Sequence, residues 1–206
     1  MSARTPITAE CAKLLAQIKR ICPGVLPPAP LAAGMVAPAI NVTADQALKL
    51  FPAAASTAAG IDPFSSAAPP SAVKWKEGDR ELLIFPSKVT ASFAAGVIAV
   101  SIPVSSDQSG DATVHVSLVV GDPNQPAGLI AATDARPTGP PLIIDAWSGA
   151  LIAFAWHIVL EIVTNIAGGA GRDVDGAPLV PVALAASSNG LSIVPMARHP
   201  FDRARK

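Results

Sequence analysis

Ser71 and Lys74 stand at the i, i+3 spacing of an S-x-x-K pair, the arrangement in which a lysine one helical turn past a serine activates it as a nucleophile. Here Pro69-Pro70 precede the tetrad and a charged stretch follows it, so a helix is not expected, and no S-D-N or K-T-G partner occurs in the chain. His157 and Glu161, at i, i+4, have the spacing of a metal-binding or proton-transfer pair on one helix face. A zinc site needs at least three protein ligands, and the other histidines, His115 and His199, fall on other elements.

Three further motifs fall short of the chemistry they suggest. Asp173-Val-Asp175-Gly176 begins like a calcium loop, but its twelfth position is Leu184 where a glutamate is required. The glycines from Gly168 to Gly171 follow a helical stretch instead of preceding one, and no Lys-Ser/Thr accompanies them, so they read as a helix stop. Trp147-Ser148-Gly149 lacks the flanking glycines of a nucleophile elbow. No catalytic residue, cofactor or metal is therefore expected.

The elements that would carry these residues follow from periodicity. Between 6 and 22, apolar Ile7, Cys11, Leu14, Ile18 and Ile21 recur at 4-3-4-3 spacing, giving a one-faced helix capped by Thr5 and stopped by Pro23-Gly24. Cys11 and Cys22 on that helix would lie about 16 Å apart, beyond the roughly 7 Å a disulfide allows, and read as core residues. Residues 23–73 are Pro- and Ala-rich. Thr43-Ala-Asp-Gln46 has capping-box form ahead of a short helix that Pro52 should end, and 60–71 reads as a linker.

Strands are expected at 81–85, 89–93, 97–104, 113–120 and 129–133. Ile98, Val100, Ile102 and Val104 alternate on one face, as do Val114, Val116, Leu118 and Val120, with a polar turn between them. Pro103 should place its strand at an edge or a bulge. A helix is expected over about 145–167, capped by Asp145 or Ser148 and ended by Gly168-Gly169, apolar nearly all the way round apart from a stripe of His157, Glu161 and Thr164. A membrane span needs about 20 uninterrupted apolar residues. Ser148, Gly149, His157 and Glu161 interrupt this one, so a membrane role is not expected. Strands at 179–185 and 191–196 flank the hairpin signal Asn189-Gly190.

The expected fold class is α+β. An antiparallel sheet or sandwich domain (73–197) carries the apolar helix, behind a helical Pro/Ala-rich arm (1–72) and ahead of a basic tail (198–206). Charged residues make up 15 % of the chain and mean hydropathy is +0.45, too apolar for a disordered chain and enough to suggest a covered surface. Three Trp, six Phe and no Tyr argue against recognition through a few strong aromatic anchors. Net charge is zero, excluding a basic nucleic-acid footprint, but it is unevenly spread: +3 over 1–88, −5 over 89–171 and +2 over 172–206. Basic ends and an acidic centre suit arms that lie on the centre of the same subunit or a neighbour. No apolar leader follows Arg4, so synthesis in the cytoplasm is expected.

The leading functional expectation is a non-enzymatic, self-assembling structural protein, in outline like a virion, tail or shell component. Subunit contacts are expected at Ile7, Leu14, Ile18, Ile21, Trp147, Leu151, Phe154, Trp156 and Leu160. The rivals are a binding module holding an apolar ligand between sheet and helix and a hydrolase using Ser71 and Lys74.

Overall fold

Alternation of apolar residues builds the centre of the larger sheet. The computed structural model describes residues 36–61, 70–124, 127–128 and 136–198. Strands β5 (Val97–Ser106) and β6 (Gly110–Val119) form a hairpin in continuous antiparallel register, from Val97 opposite Val119 to Ser106 opposite Gly110. Ile98, Val100, Ile102 and Val104 face inward with Val114, Val116 and Leu118, all fully or almost fully buried. A slip of one residue would turn every one of these side chains to solvent, so the pattern selects this register.

The other edge of β5 is shared by two strands laid end to end. β3 (Arg80–Ile84) pairs at Val104 and Ser105, and β4 (Thr90–Ala94) pairs along Val97 to Ser101. A 3-10 turn at Pro86–Lys88 interrupts them. Pro103 is the reason the interruption is tolerated there. Its carbonyl accepts from the Phe85 amide at 3.0 Å, so its nitrogen, which has no hydrogen, points to the same side, where the chain detours. The expectation that Pro103 marks an edge strand is corrected: β5 is an inner strand, and its neighbour is the irregular one. β2 (Val73–Glu77), which the sequence pattern did not reveal, closes this sheet against β3.

The second antiparallel sheet has the order β1-β9-β8-β7, from β1 (Ile40–Thr43), β7 (Ala127–Gly128), β8 (Val180–Ser187) and β9 (Gly190–Met196). Asn189-Gly190 makes the expected β8–β9 hairpin, with Gly190 at φ 130°. The sheets are stitched where Gly121 bridges Ala185 and the Gly96 amide donates to Ala186 at 3.0 Å.

Among the described residues, three α-helices complete the fold. α1 (Ala44–Leu48) has the expected reciprocal capping box between Thr43 and Gln46. α2 (Phe51–Ala58) corrects the reading of Pro52, which sits in the first turn and starts a helix instead of ending one. α3 (Pro141–Ala170) is 30 residues long, about 45 Å, against the expected 145–167. Pro140-Pro141 opens it, so neither Asp145 nor Ser148 is its cap. It runs through Gly168 and Gly169 because the Arg172 guanidinium donates to the Gly168 and Gly171 carbonyls, satisfying acceptors left open at the helix end.

α3 packs against α2 and both sheets, and this explains its all-round apolarity. Ile143, Trp147, Leu151, Ile158 and Ile162 are buried, and so are Ala155, Trp156, Val159 and Val163 on other faces. Past its first turn, where Leu142 is exposed, its fully exposed residues are Asp145, Gly149, Ala150, Ala153, His157 and Thr164. The helix is long and apolar enough to cross a membrane by length and composition, and here most of it lies under the chain's own sheets and α2.

The core crosses the expected division at 72/73. β1 pairs with β9, and Ala47, Leu50, Phe51, Ala54 and Ala55 join the same buried cluster as α3 and the sheets, so residues 40–58 pack as part of the β-rich unit. Ile7, Leu14, Ile18 and Ile21, both cysteines, most of the 60–71 linker, the expected strand at 129–133 and the tail beyond Arg198 lie outside the described residues.

Candidate functional site

A shallow trough opens over the exposed stripe of α3. It has a volume of about 550 Å³ and runs from the end of α2, at Ala58, to β2. Its floor is Ala150 and Ala153, both exposed, with Gly149 beside them on the same helix stripe. Small side chains here follow from position: this is the one line of α3 with no sheet or helix above it, so no packing demands bulk.

The wall is aromatic. Trp147 and Phe154 are seven residues apart on α3 and therefore share a face. β2 adds Trp75, whose ring lies 6.2 Å from Trp147 and 5.4 Å from Phe154, the latter edge-on at 87°. Strand alternation turns Trp75 toward α3 and leaves Lys74 and Lys76 more exposed at the rim, which His157 completes on the helix side. Trp75 was missed in the sequence because V-K-W-K-E is short and charged, although its alternation was a usable signal.

The electrostatics of the rim decide the fate of the Ser71/Lys74 motif. Lys74 Nζ lies 2.7 Å from Glu81 Oε2, and Lys76 is 3.8 Å from the other oxygen. The hydrogen bond to Glu81, reinforced by its charge, raises the Lys74 pKa and lowers that of Glu81. A lysine that must accept a proton from serine needs the opposite shift. Lys74 is also on strand β2 and Ser71 on the bend before it, so the one-turn helical spacing of an S-x-x-K pair is absent.

His157, exposed, and Glu161, half-buried, lie on one side of α3, as the i, i+4 spacing requires, and border a smaller hollow of about 200 Å³ with Thr57 and Thr164. The Glu161 carboxylate accepts from Asn165 Nδ2 at 2.9 Å. Among the described residues no group of three or more His, Cys, Asp or Glu is placed to hold a metal. Asp173 is buried, and its Oδ1 accepts from the amides of Asp175 and Ala177, both at 2.9 Å, so this motif is a turn.

Of the residues expected at subunit contacts, Trp147, Leu151, Phe154 and Trp156 are buried in the chain's own core, and Leu160 is half-buried. Trp147 and Phe154 still present an edge to the trough.

One pair escaped the sequence reading altogether. Ser101 and His115 are direct cross-strand partners, with Oγ 2.9 Å from Nδ1, on the outer face of β5 and β6. Placing the turn at Asp107–Ser109 fixes the pairing and would have revealed them. Such contact can polarise a serine, but an acyl-transfer site also needs donors for an oxyanion, and the His115 amide is already committed to the Thr138 carbonyl at 2.9 Å. A further cleft of about 300 Å³ at the start of α3 is lined by Asp79, Glu81, Asp107 and Asp145, the last paired with Arg136.

No protein-family model, no curated protein and no solved structure matches the chain.

Proposed function

We propose that this is a non-enzymatic assembly protein that acts through contacts between copies of itself, with the trough on α3 as the contact surface. The observation that carries this reading is the combination of an exposed small-residue floor, Ala150 and Ala153, with the aromatic wall of Trp75, Trp147 and Phe154. A floor without bulk admits another backbone closely. The wall supplies apolar area beside it, and the charged rim limits non-specific sticking.

The rival readings find less support. A ligand held between sheet and helix would have to displace Leu151, Ile158 and Ile162, which are fully or almost fully buried in one cluster with Val100, Ile102 and Val116. A hydrolase built on Ser71 has its intended base committed to Glu81. The test is sedimentation velocity with light scattering across a wide concentration range. The expected result is a mass at least twice that of the 20.8 kDa chain, declining on dilution. A single-chain mass at every concentration overturns the proposal.

A further inference from the structure

We infer that the trough accepts an extended peptide segment of another protein, in which carboxylates alternate with apolar side chains, and that this segment adds as a strand to the free edge of β2. The inference goes beyond the self-association reading and does not depend on it. Copies that meet over the α3 floor and a strand at the β2 edge would cover the same ground, so each excludes the other.

Hydrogen bonding in the larger sheet shows which edge of β2 is open. The Phe85 amide donates to the Pro103 carbonyl, so Phe85 and Leu83 turn their backbone polar groups toward β5. By alternation Ile84, Leu82 and Arg80 turn theirs toward β2, where they meet Val73, Trp75 and Glu77. Lys74 and Lys76 are left with N–H and C=O directed away from β3. Among the described residues no backbone group pairs with them, and β2 ends its sheet. Unpaired strand groups are a template for a further strand, and strand addition at a sheet edge is one of the ways proteins bind extended peptides.

The side chains around that edge set the sequence it takes. An antiparallel strand would lie about 4.8 Å beyond β2. Its residue opposite Trp75 shares the inner face with that ring, which meets Trp147 and Phe154, and so lies toward Ala150 and Ala153, whose small side chains leave room for it. Its residues opposite Lys74 and Lys76 share the outer face with the two ammonium groups. Glu81 is the one carboxylate paired with these lysines, at 2.7 and 3.8 Å, so positive charge is left over, and opposite-charge cross-strand pairs favour Asp or Glu at both positions. A second β2 is disfavoured at this edge, because lysine would oppose lysine. Asp173-Val174-Asp175 is the one place in the chain where two carboxylates flank an apolar side chain, and the Asp173 carboxylate closes it as a turn. The strand therefore comes from a different protein.

The experiment is fluorescence anisotropy with the full-length chain and the peptide Val-Glu-Val-Glu-Val, labelled at its N-terminus and amidated at its C-terminus. Saturable binding is expected, and none up to about 1 mM overturns the inference. The two glutamates, opposite Lys74 and Lys76, give their amides to β2, whereas the amide of the central valine points away. N-methylation of both glutamates should weaken binding at least about tenfold, and N-methylation of the central valine alone should not. Equal binding by the two methylated peptides would show that no strand is added. Ala153→Arg, which fills the floor, should also weaken binding, with folding checked by circular dichroism. Lys74→Glu with Lys76→Glu should lose the peptide and gain Val-Lys-Val-Lys-Val in its place, a swap that a misfolded variant would not make. Binding of the lysine peptide by the unaltered chain as tightly as the glutamate peptide would remove the carboxylate from the proposal and overturn it. A chain that is monomeric in sedimentation yet binds the peptide in this pattern overturns the self-association reading alone.

Discussion

Phe51→Ala tests whether residues 40–58 belong to the β-rich unit. Phe51 opens α2, has no solvent exposure and packs at 6.1 Å between ring centroids against Phe93 of β4. α2 itself lies on α3 and the 3-10 turn, so the ring sits where the short helix, the long helix and the larger sheet meet. Truncating a fully buried phenylalanine costs about 3–5 kcal/mol through lost transfer energy and the cavity left behind. A domain of this size has roughly 5–15 kcal/mol in total. With a urea slope of about 2–3 kcal/mol per molar, the midpoint should fall by about 1–2 M. The assay is equilibrium urea unfolding followed by tryptophan fluorescence, which reports the unit holding Trp75, Trp147 and Trp156. A shift below about 0.3 M at unchanged slope would show that α2 contributes nothing to that unit, and the packing argument would fail.

Two further outcomes follow from local geometry. A Cβ at Gly190 would overlap the Val42 carbonyl oxygen and lie 2.6 Å from the Ala44 nitrogen, at φ 130°. Gly190→Ala should therefore cost about 2–4 kcal/mol and speed amide exchange in β1. Gly110→Ala, at φ 63° with open space around it, should cost only about 1 kcal/mol, and equal losses at the two sites would refute the steric account. Glu81 should titrate below the ordinary glutamate range because Lys74 hydrogen-bonds and attracts its charged form. Its folded pKa lies below its unfolded one, so its contribution to stability is present above the ordinary carboxylate value and lost as pH falls through the lowered one. The pair is exposed, so the contribution is small and screened by salt. Carboxyl NMR should show the low midpoint move up in Lys74→Met, and no movement would mean the pair does not form in solution.

Sequence alone determined which faces must be covered. Ile98 to Val104 and Val114 to Val120 alternate without a break, so their strands, their shared buried face and the hairpin between them were legible before any coordinates. The Thr43/Gln46 box and the Asn189-Gly190 turn were legible because each closes within a few residues. Signals of the same range misled wherever a distant or later group supplied the missing interaction. Gly168-Gly169 read as a helix stop until Arg172 took up the carbonyls, and Pro103 read as an edge marker until its neighbour made the detour.

What covers each face was decided only by the tertiary structure. An all-round apolar helix can be satisfied by its own sheets, by another subunit or by lipid, since burial of apolar surface is non-directional and does not name its partner. In this chain residues 40–58 and both sheets provide the cover, leaving one uncovered line along α3. Trp75 joins Trp147 and Phe154 across more than 70 residues of chain, and Ser101 meets His115 only through register. Periodicity carries information over one or two turns of a helix or along one strand. Contacts between elements depend on which pairings leave the least apolar surface in water, a comparison made across the whole fold at once.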